Sequence, residues 1–440
     1  MTIDRREFAA VVIGSLTGAV ATPRASAESS APLRVNGDRL NEHLAALSQF
    51  GKNPQGGVSR VAYSQADIEA RAAAAGWMRD ASLEVAIDRA GNLVGRRAGR
   101  DAGAKPIVFG SHIDSVPEGG NYDGDVGAIS AIEVAHTLAE RRVITTRPFE
   151  VVIWTNEEGG LYGSRAWSSQ LTAEDLANVS SSGLRIEEGI RHIGGDPDRL
   201  ADVRRAKGDV AAYFELHIEQ GGILDAAGID IGIVEGIVGI CQWDVTVTGT
   251  PNHAGTTPMN QRHDALLAAA RFVEMVNRVV VSEPGAQVGT VGRIQAWPGA
   301  PNVIPGRVSC TLELRDLDDA KIMRLYERIR SESIEIGRQN ETTFEFSAIE
   351  ANLSAKTDAR LREVVAHAAR ELGLSTRLLP SGAGHDAQSI ALLGPIGMIF
   401  VPSVGGISHS PREFTRPADI VNGANVLLGA VLAADEGHWR

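Results

Sequence analysis

Five side chains able to bind a metal are scattered along this chain, each close to the carboxyl end of an apolar run. His112 and Asp123 lie in GSHIDSVPEGGNYDGDVG (Gly110–Gly127), a glycine-rich loop that begins where the apolar run Pro106–Gly110 (PIVFG) ends. An imidazole beside a carboxylate suits a divalent cation such as zinc. Glu157 and Glu158 follow a second apolar run, Phe149–Thr155 (FEVVIWT). Adjacent carboxylates past a strand end point in different directions, so one can bind a metal while its neighbour works as a base. His217 sits in FELHIEQG, and His409 in GGISHSP, just beyond Ile396–Val401 (IGMIFV). A pair of cations needs about four to six protein ligands, one of them bridging. His112, Asp123, Glu158, His217 and His409 form such a set, with Asp123, which has two oxygens, as the natural bridge. Taken singly, each signal also suits a solvated loop or a hydrogen-bonded core histidine.

The elements that must position these residues follow from periodicity. The short apolar runs read as buried strands, and the stretch after Asp123 as a helix carrying Val126, Ile129, Ile132, Val134 and Ala135. Strand, glycine loop, helix is where α/β proteins bind ligands. Upstream, Asn36–Phe50 reads as a helix with Leu40, Leu44 and Leu47 on one face, and Ser64 opens a second with Asp67 as capping partner. Leu83, Val85 and Ile87 alternate as a strand. The order α, α, β, β, α, β predicts α/β layers. Leu171–Lys207 reads as helical, with Glu187 and Arg191 spaced for one face, and Ile229–Val238 as a glycine-spaced strand pair. The composition changes near Gly239. Trp243, Val245 and Val247 alternate as a strand; helices follow over Asp264–Val281 and Asp318–Arg338, with strands over Gly289–Ala296, Arg307–Arg315 and Thr342–Ile349. That β-α-β-β-α-β order predicts a split βαβ, ferredoxin-like α+β sandwich inserted at 239–350. Residues 28–238 and 351–440 then form one α/β domain with a mixed or parallel sheet flanked by helices. Beyond the insertion, Thr357 is expected to cap a helix to Leu372, Ser375–Leu379 to be a strand, and Pro417 to open a last helix.

Length and composition bound the function. At 440 residues the chain exceeds one ordinary core. A net charge of −12 without a basic cluster argues against a nucleic-acid partner. Residues 1–27 carry Arg5-Arg6, the short apolar run Val11–Ala21 and the small-residue pattern Ala25-Ser26-Ala27. These read as a twin-arginine export signal and predict a periplasmic or exported protein. No other stretch reads as long enough to span a bilayer, so stable membrane insertion is not expected. Cys241 and Cys310 are too few for a disulfide framework and are expected to be buried small hydrophobes, bridged only if their strands are neighbours.

GSHIDSVPEGGNYDGDVG, TNEEGG, ELHIEQG, HAGTTPM, APNVIPG, SGAGHDA and GGISHSP occur in this order over nearly all of the chain after residue 27. The set resembles the metal-dependent peptidase and amidase clan that includes carboxypeptidase G and the aminoacylases. More narrowly it resembles the hydantoinase/carbamoylase family. The resemblance implies two divalent ions (zinc, manganese or cobalt) on His112, Asp123, Glu158, His217 and His409, with Glu157 as general base. It implies that Asp114 orients His112. Gln220, His253, Asn302 and Arg315 match substrate-binding positions, with His253 also steadying the oxyanion and Arg315 gripping a substrate carboxylate. It further implies a lid that dimerises, with the lid histidine reaching the partner's site. The expected activity is hydrolysis of the ureido C–N bond of N-carbamoyl-L-amino acids. Allantoate, β-ureidopropionate and acylated amino acids are alternative substrates, and a non-catalytic binding protein on the same scaffold is a distant alternative. GGLYGSRAW after Glu158 looks shorter than in many relatives, which leaves the substrate open.

Overall fold

The computed structural model describes residues 33–437. The expected export segment, residues 1–27, lies outside the described residues.

The main sheet collects β1 (Glu84–Ile87), β2 (Leu93–Arg97), β3 (Ile107–His112), β4 (Phe149–Trp154), β5 (Ala212–Ile218) and β6 (Ile231–Ile237). The second sheet is built from β7 (Gly239–Thr248), β9 (Val288–Thr290), β10 (Ile294–Trp297), β12 (Arg307–Asp316) and β13 (Thr343–Asn352), while β8 (Asn252–His253) and β11 (Val303–Ile304) form a small ribbon. The chain then returns to the main sheet with β14 (Ala355–Lys356), β15 (Thr376–Ser381) and β16 (Ile396–Val401). The helices are α1 (Gly37–Leu47), α2 (Gln65–Asp80), α3 (Asp125–Glu140), α4 (Tyr162–Trp167), α5 (Ala173–Ala177), α6 (Ile186–His192), α7 (Ile223–Ala227), α8 (Ala265–Ser282), α9 (Asp319–Asn340), α10 (Ala359–Glu371), α11 (Asp386–Ile390) and α12 (Pro417–Glu436).

The main sheet runs β1-β2-β4-β3-β5-β16-β6-β14, with β15 parallel to β6. Its centre, β4-β3-β5-β16, is parallel throughout. All four central strands are buried along their whole length, as expected for parallel strands covered on both faces. Their carboxyl ends share one edge, which is where the predicted ligands fall. Helices α1, α3, α10 and α12 share one apolar core with this sheet, through residues such as Leu44, Ile129, Phe214, Val365 and Leu427.

The second sheet has the order β10-β12-β7-β13, all neighbours antiparallel, with β9 also on β12. This is the strand order of the expected split βαβ sandwich. Its core is its own: Val245, Phe272, Val276, Leu312 and Ile329 pack together beneath α8 and α9. Asp264 and Asp318 cap those two helices through backbone N–H groups.

Several expectations are corrected. A strand, β2, stands between β1 and β4; Gly95 and the Arg96-Arg97 pair masked its pattern. Leu171–Lys207 is not one helix but α5, α6 and a 3-10 turn at Pro197–Val203, broken by Ser180–Gly183 and by Gly194-Gly195-Asp196-Pro197. The Glu187–Arg191 pair does form, at 3.5 Å on α6. Ile229–Val238 is one strand, not a pair. Its glycines serve close approach: a Cβ at Gly232 would stand 2.8 Å from Leu379 and Phe400, and one at Gly236 2.8 Å from the Ala355 carbonyl. Gly289–Ala296 splits into β9 and β10. Asp358, not Thr357, caps α10; the Thr357 hydroxyl donates to the Val234 carbonyl instead. Cys241 and Cys310 are buried on neighbouring strands, but Cys310 faces Val245 and Cys241 faces Leu314. That register keeps the thiols apart, and no disulfide joins them. Finally, α12 is long and apolar enough to cross a membrane, with a mean hydropathy of 1.4. Its Ile420, Ala424, Leu427 and Val431 are spent on the main core instead.

Candidate metal centre

His112 is the last residue of β3 rather than part of the loop beyond it. Its Nδ1 lies 3.0 Å from the Asp114 carbonyl. His217, near the end of β5, places Nδ1 2.9 Å from the Ile218 carbonyl. An Nδ1–H that donates to a carbonyl leaves Nε2 with its lone pair, the tautomer a metal ligand requires. His217 Nε2 faces Asp123 and accepts the Gly124 N–H at 3.2 Å, and His112 Nε2 faces Glu157.

Asp123 holds the centre of the site. Its Oδ1 lies 3.1 Å from His217 Nε2, and its Oδ2 lies 2.9 Å from His409 Nε2. The donors fall into two groups whose ligand atoms lie within 4.8 Å of one another: His112, Asp123 and His217; and Asp123, Glu158 and His409. Asp123 is common to both. Glu158 Oε1, 3.5 Å from His409 Nε2, is buried with no hydrogen-bond partner among the described residues. Two buried imidazoles whose Nδ1 atoms meet backbone carbonyls, a shared carboxylate and a buried carboxylate oxygen without a donor among the described residues fit a pair of divalent cations.

Glu157 belongs to neither triad. It is buried, with Oε2 3.6 Å from His112 Nε2, and lines the same cavity of about 260 Å³. The turn that presents it begins at Asn156, whose φ is +52°, a left-handed conformation that asparagine tolerates. Asp114 secures that turn: its two carboxylate oxygens accept the backbone N–H groups of Glu157 and Glu158, each at 3.2 Å. This corrects the expected role. The Asp114 carbonyl orients His112, while the Asp114 carboxylate, 3.8 Å from Nδ1, orients the glutamate pair.

Electrostatics separates the acids. Burial raises Glu157 well above the ordinary glutamate range, with Asp386, Glu158 and Asp114 adding to it. Burial, then Asp123, pushes Glu158 up to about 8. Burial also opposes the charge on Asp123, but His217 and His409 outweigh it and hold that carboxyl well below its usual range. Asp123 thus stays ionised while Glu157 sits poised to hold a proton, a separation that suits an anionic ligand beside a proton carrier.

Gln220 and Arg315 also line the cavity. Gln220 Nε2 donates to Asp123 Oδ2 at 3.0 Å. Arg315 comes from β12 of the second sheet. Its Nη1 donates to the Gly382 carbonyl and its Nε to Glu313, both at 2.7 Å. Nearby, Lys321 Nζ pairs with Asp316 Oδ2 at 2.9 Å. His253 and Asn302 are not brought here. Both are exposed, His253 on β8 and Asn302 just before β11; the Ala254 N–H donates to the Asn302 carbonyl, and neither residue lines the cavity. Two residues escaped the sequence reading. His385, in SGAGHDA, is buried with its ring 4.4 Å from that of His217. Glu413, four residues after His409, is buried between the Asp123 and His409 loops. A charged residue at fixed distance past a ligand was the only available signal for Glu413. A separate cavity of about 340 Å³, between α2, β1 and α6, has no converging acids.

A parallel α/β sheet with a split βαβ companion, and a carboxylate shared by two metal-binding triads at the strand ends, defines the class: a metal-dependent hydrolase. The chain belongs to Peptidase family M20/M25/M40, whose profile matches residues 108–433. It is 38% identical over 409 residues to the N-carbamoyl-L-amino acid amidohydrolase of Geobacillus stearothermophilus, covering 92% of this chain and all of that one. It is 35% identical over 413 residues to the ureidoglycolate hydrolase of Oryza sativa subsp. japonica, covering 91% and 85% of the two chains. Among solved structures, an amidase of the hydantoinase/carbamoylase family from Burkholderia multivorans superposes with a TM-score of 0.84 at 38% identity, covering 91% and 98%.

Proposed function

We propose that the chain is an amidohydrolase that cleaves the ureido C–N bond of an N-carbamoyl-L-amino acid. The observation that carries this reading is Asp123, with one oxygen turned to each triad and Glu157 buried alongside but outside both. The N-carbamoyl amino acid amidohydrolases among the relatives supply the substrate class.

His112, Asp123 and His217 would hold one divalent cation, and Asp123, Glu158 and His409 a second; zinc, manganese and cobalt all accept such donors. Bound there, the cations would polarise the ureido carbonyl and acidify a water molecule. Glu157 takes that proton on a carboxylate oxygen and returns it to the departing amino nitrogen. R–NH–CO–NH2 and water thus become R–NH2, carbon dioxide and ammonia. Asp114 keeps Glu157 aimed by holding its backbone N–H. Arg315, which lines the same cavity, would pair with the substrate carboxylate, and Gln220 would contact the polar head.

The second sheet and its helices, inserted at 239–350, act in this reading as a lid and dimerisation unit. His253 and Asn302, exposed and away from the cavity of their own chain, would complete the site of a second copy. The Arg5-Arg6 segment would send the folded, metal-loaded protein out of the cytoplasm. Ureidoglycolate and allantoate remain a second substrate reading, favoured by the plant relatives named for them. The test is ammonia release from a panel of ureido acids, with and without chelator. Turnover of N-carbamoyl-L-amino acids, abolished by chelator, supports the reading; turnover of allantoate or ureidoglycolate alone would replace it.

A further inference from the structure

We propose that Glu413 is a positioning residue that ties the Asp123 loop to the His409 loop and so sets the affinity of the Asp123–Glu158–His409 triad for its cation. The proposal rests on the two-cation reading above. Glu413 is 3% exposed. Its Oε1 accepts the backbone N–H groups of Tyr122 and Asp123 at 2.9 and 3.0 Å. Its Oε2 accepts the Ser408 hydroxyl at 2.8 Å and the His409 backbone N–H at 3.3 Å. One oxygen thus serves each loop, and the loops are 290 residues apart in sequence.

The surroundings are built for that carboxylate. A Cβ at Gly120 would come within 2.0 Å of Glu413 Oε1, so the Asp123 loop approaches as closely as only glycine permits. Next to Glu413, the Phe414 ring meets the Tyr122 ring edge-on, with centroids 5.8 Å apart, closing the same seam.

The two triads differ in how much they need this tether. His112 and His217 end central strands, held by ladder hydrogen bonds and by their Nδ1 contacts. His409 sits in a loop, with a φ of +52° and a side chain 48% exposed. Little packing fixes it, and its backbone N–H is claimed by Glu413. Removing the tether therefore frees the second triad while sparing most of the first.

The chemistry of the tether separates geometry from charge. Glutamine keeps the length: its amide oxygen can accept from Tyr122 and Asp123 and its NH2 can donate to the Ser408 hydroxyl, so only the His409 contact is lost. Aspartate keeps the charge but is one methylene shorter and cannot reach both loops. The experiment strips the full-length protein with chelator and titrates Co²⁺ alone, followed by calorimetry and visible absorption, with a melting temperature for each metal-free variant. Wild type should take up two equivalents. Glu413→Ala should keep the first and bind the second about 10- to 100-fold more weakly, and Glu413→Gln should hold the second better than Glu413→Asp does. Three results would overturn the proposal: Glu413→Ala binding both ions as wild type does, losing both together in step with its melting temperature, or Asp outperforming Gln. Uptake of a single equivalent by wild type would contradict the two-cation reading itself, and the tether with it, before any substitution is made.

Discussion

One carboxylate, Asp123, faces two groups of candidate metal donors, and in the proposed reading Glu158 belongs to one of them while Glu157 is the base. That division predicts the outcome of Glu157→Gln. The variant should keep its metal content and melting temperature, while turnover falls by about 100- to 10,000-fold; a rate near wild type would remove Glu157 from the mechanism. Asp114 makes a second prediction. Asparagine offers one acceptor oxygen where two backbone N–H groups need one each. Asp114→Asn should therefore lower kcat more than it raises KM, since the misaimed group is the base rather than a substrate contact. At this scale the convergence of His112, Asp123, Glu158, His217 and His409 was legible because metal donors are few in type and each stood beside an apolar run. The Asp114 carboxylate was misread because sequence spacing cannot say whether the side chain or the carbonyl meets His112. Glu413 was passed over because three of its four partners are backbone amides, which leave no mark in a sequence.

Elements place those side chains. Four parallel strands in the order β4-β3-β5-β16 end on one edge, so residues far apart in the chain meet there without long loops. The turn into α3 depends on Gly124. Its φ is +67°, and a Cβ there would stand 2.4 Å from the His112 ring. Gly124→Ala should therefore displace His112 and weaken the first cation selectively, a result read by the same metal titration. Helix α2 offers a test of pH dependence. Asp67 is buried and accepts the Tyr63 N–H at 2.8 Å. Burial raises its carboxyl to about 6, with Arg71 working against the shift. A raised folded value means the native state binds its proton more tightly than the unfolded chain, so stability falls as pH rises from about 4 through about 6. Asp67→Asn should thus raise the melting temperature more at pH 8 than at pH 5; an equal gain at both would place the cost elsewhere. Strands with strict alternation or continuous apolar character, such as β5 and β7, were readable. The 171–207 stretch was not, because charged pairs at helical spacing also occur in short helices broken by glycine and proline. In β6, glycines that permit close packing looked like glycines that turn the chain.

At the scale of the whole molecule, the cavity in one chain is lined by the proposed ligands, the proposed base Glu157 and Arg315, but not by His253 and Asn302. If a second copy supplies them, mixing inactive Glu157→Gln and His253→Ala chains should restore activity. Each mixed dimer contains one site with an intact base and an intact lid histidine, so random exchange returns about a quarter of the wild-type rate. No recovery after exchange would rule out a His253 supplied by the second copy. The second sheet was legible from the change in pattern near Gly239; what His253 and Asn302 face was not, because partners leave no periodicity in a single sequence. The most direct test of the account as a whole is N-carbamoyl-L-amino acid hydrolysis by chelator-stripped protein as Mn²⁺ or Co²⁺ is added back. The account predicts no turnover without metal and recovery that is complete at two equivalents per chain. Undiminished turnover by the metal-free protein would contradict it.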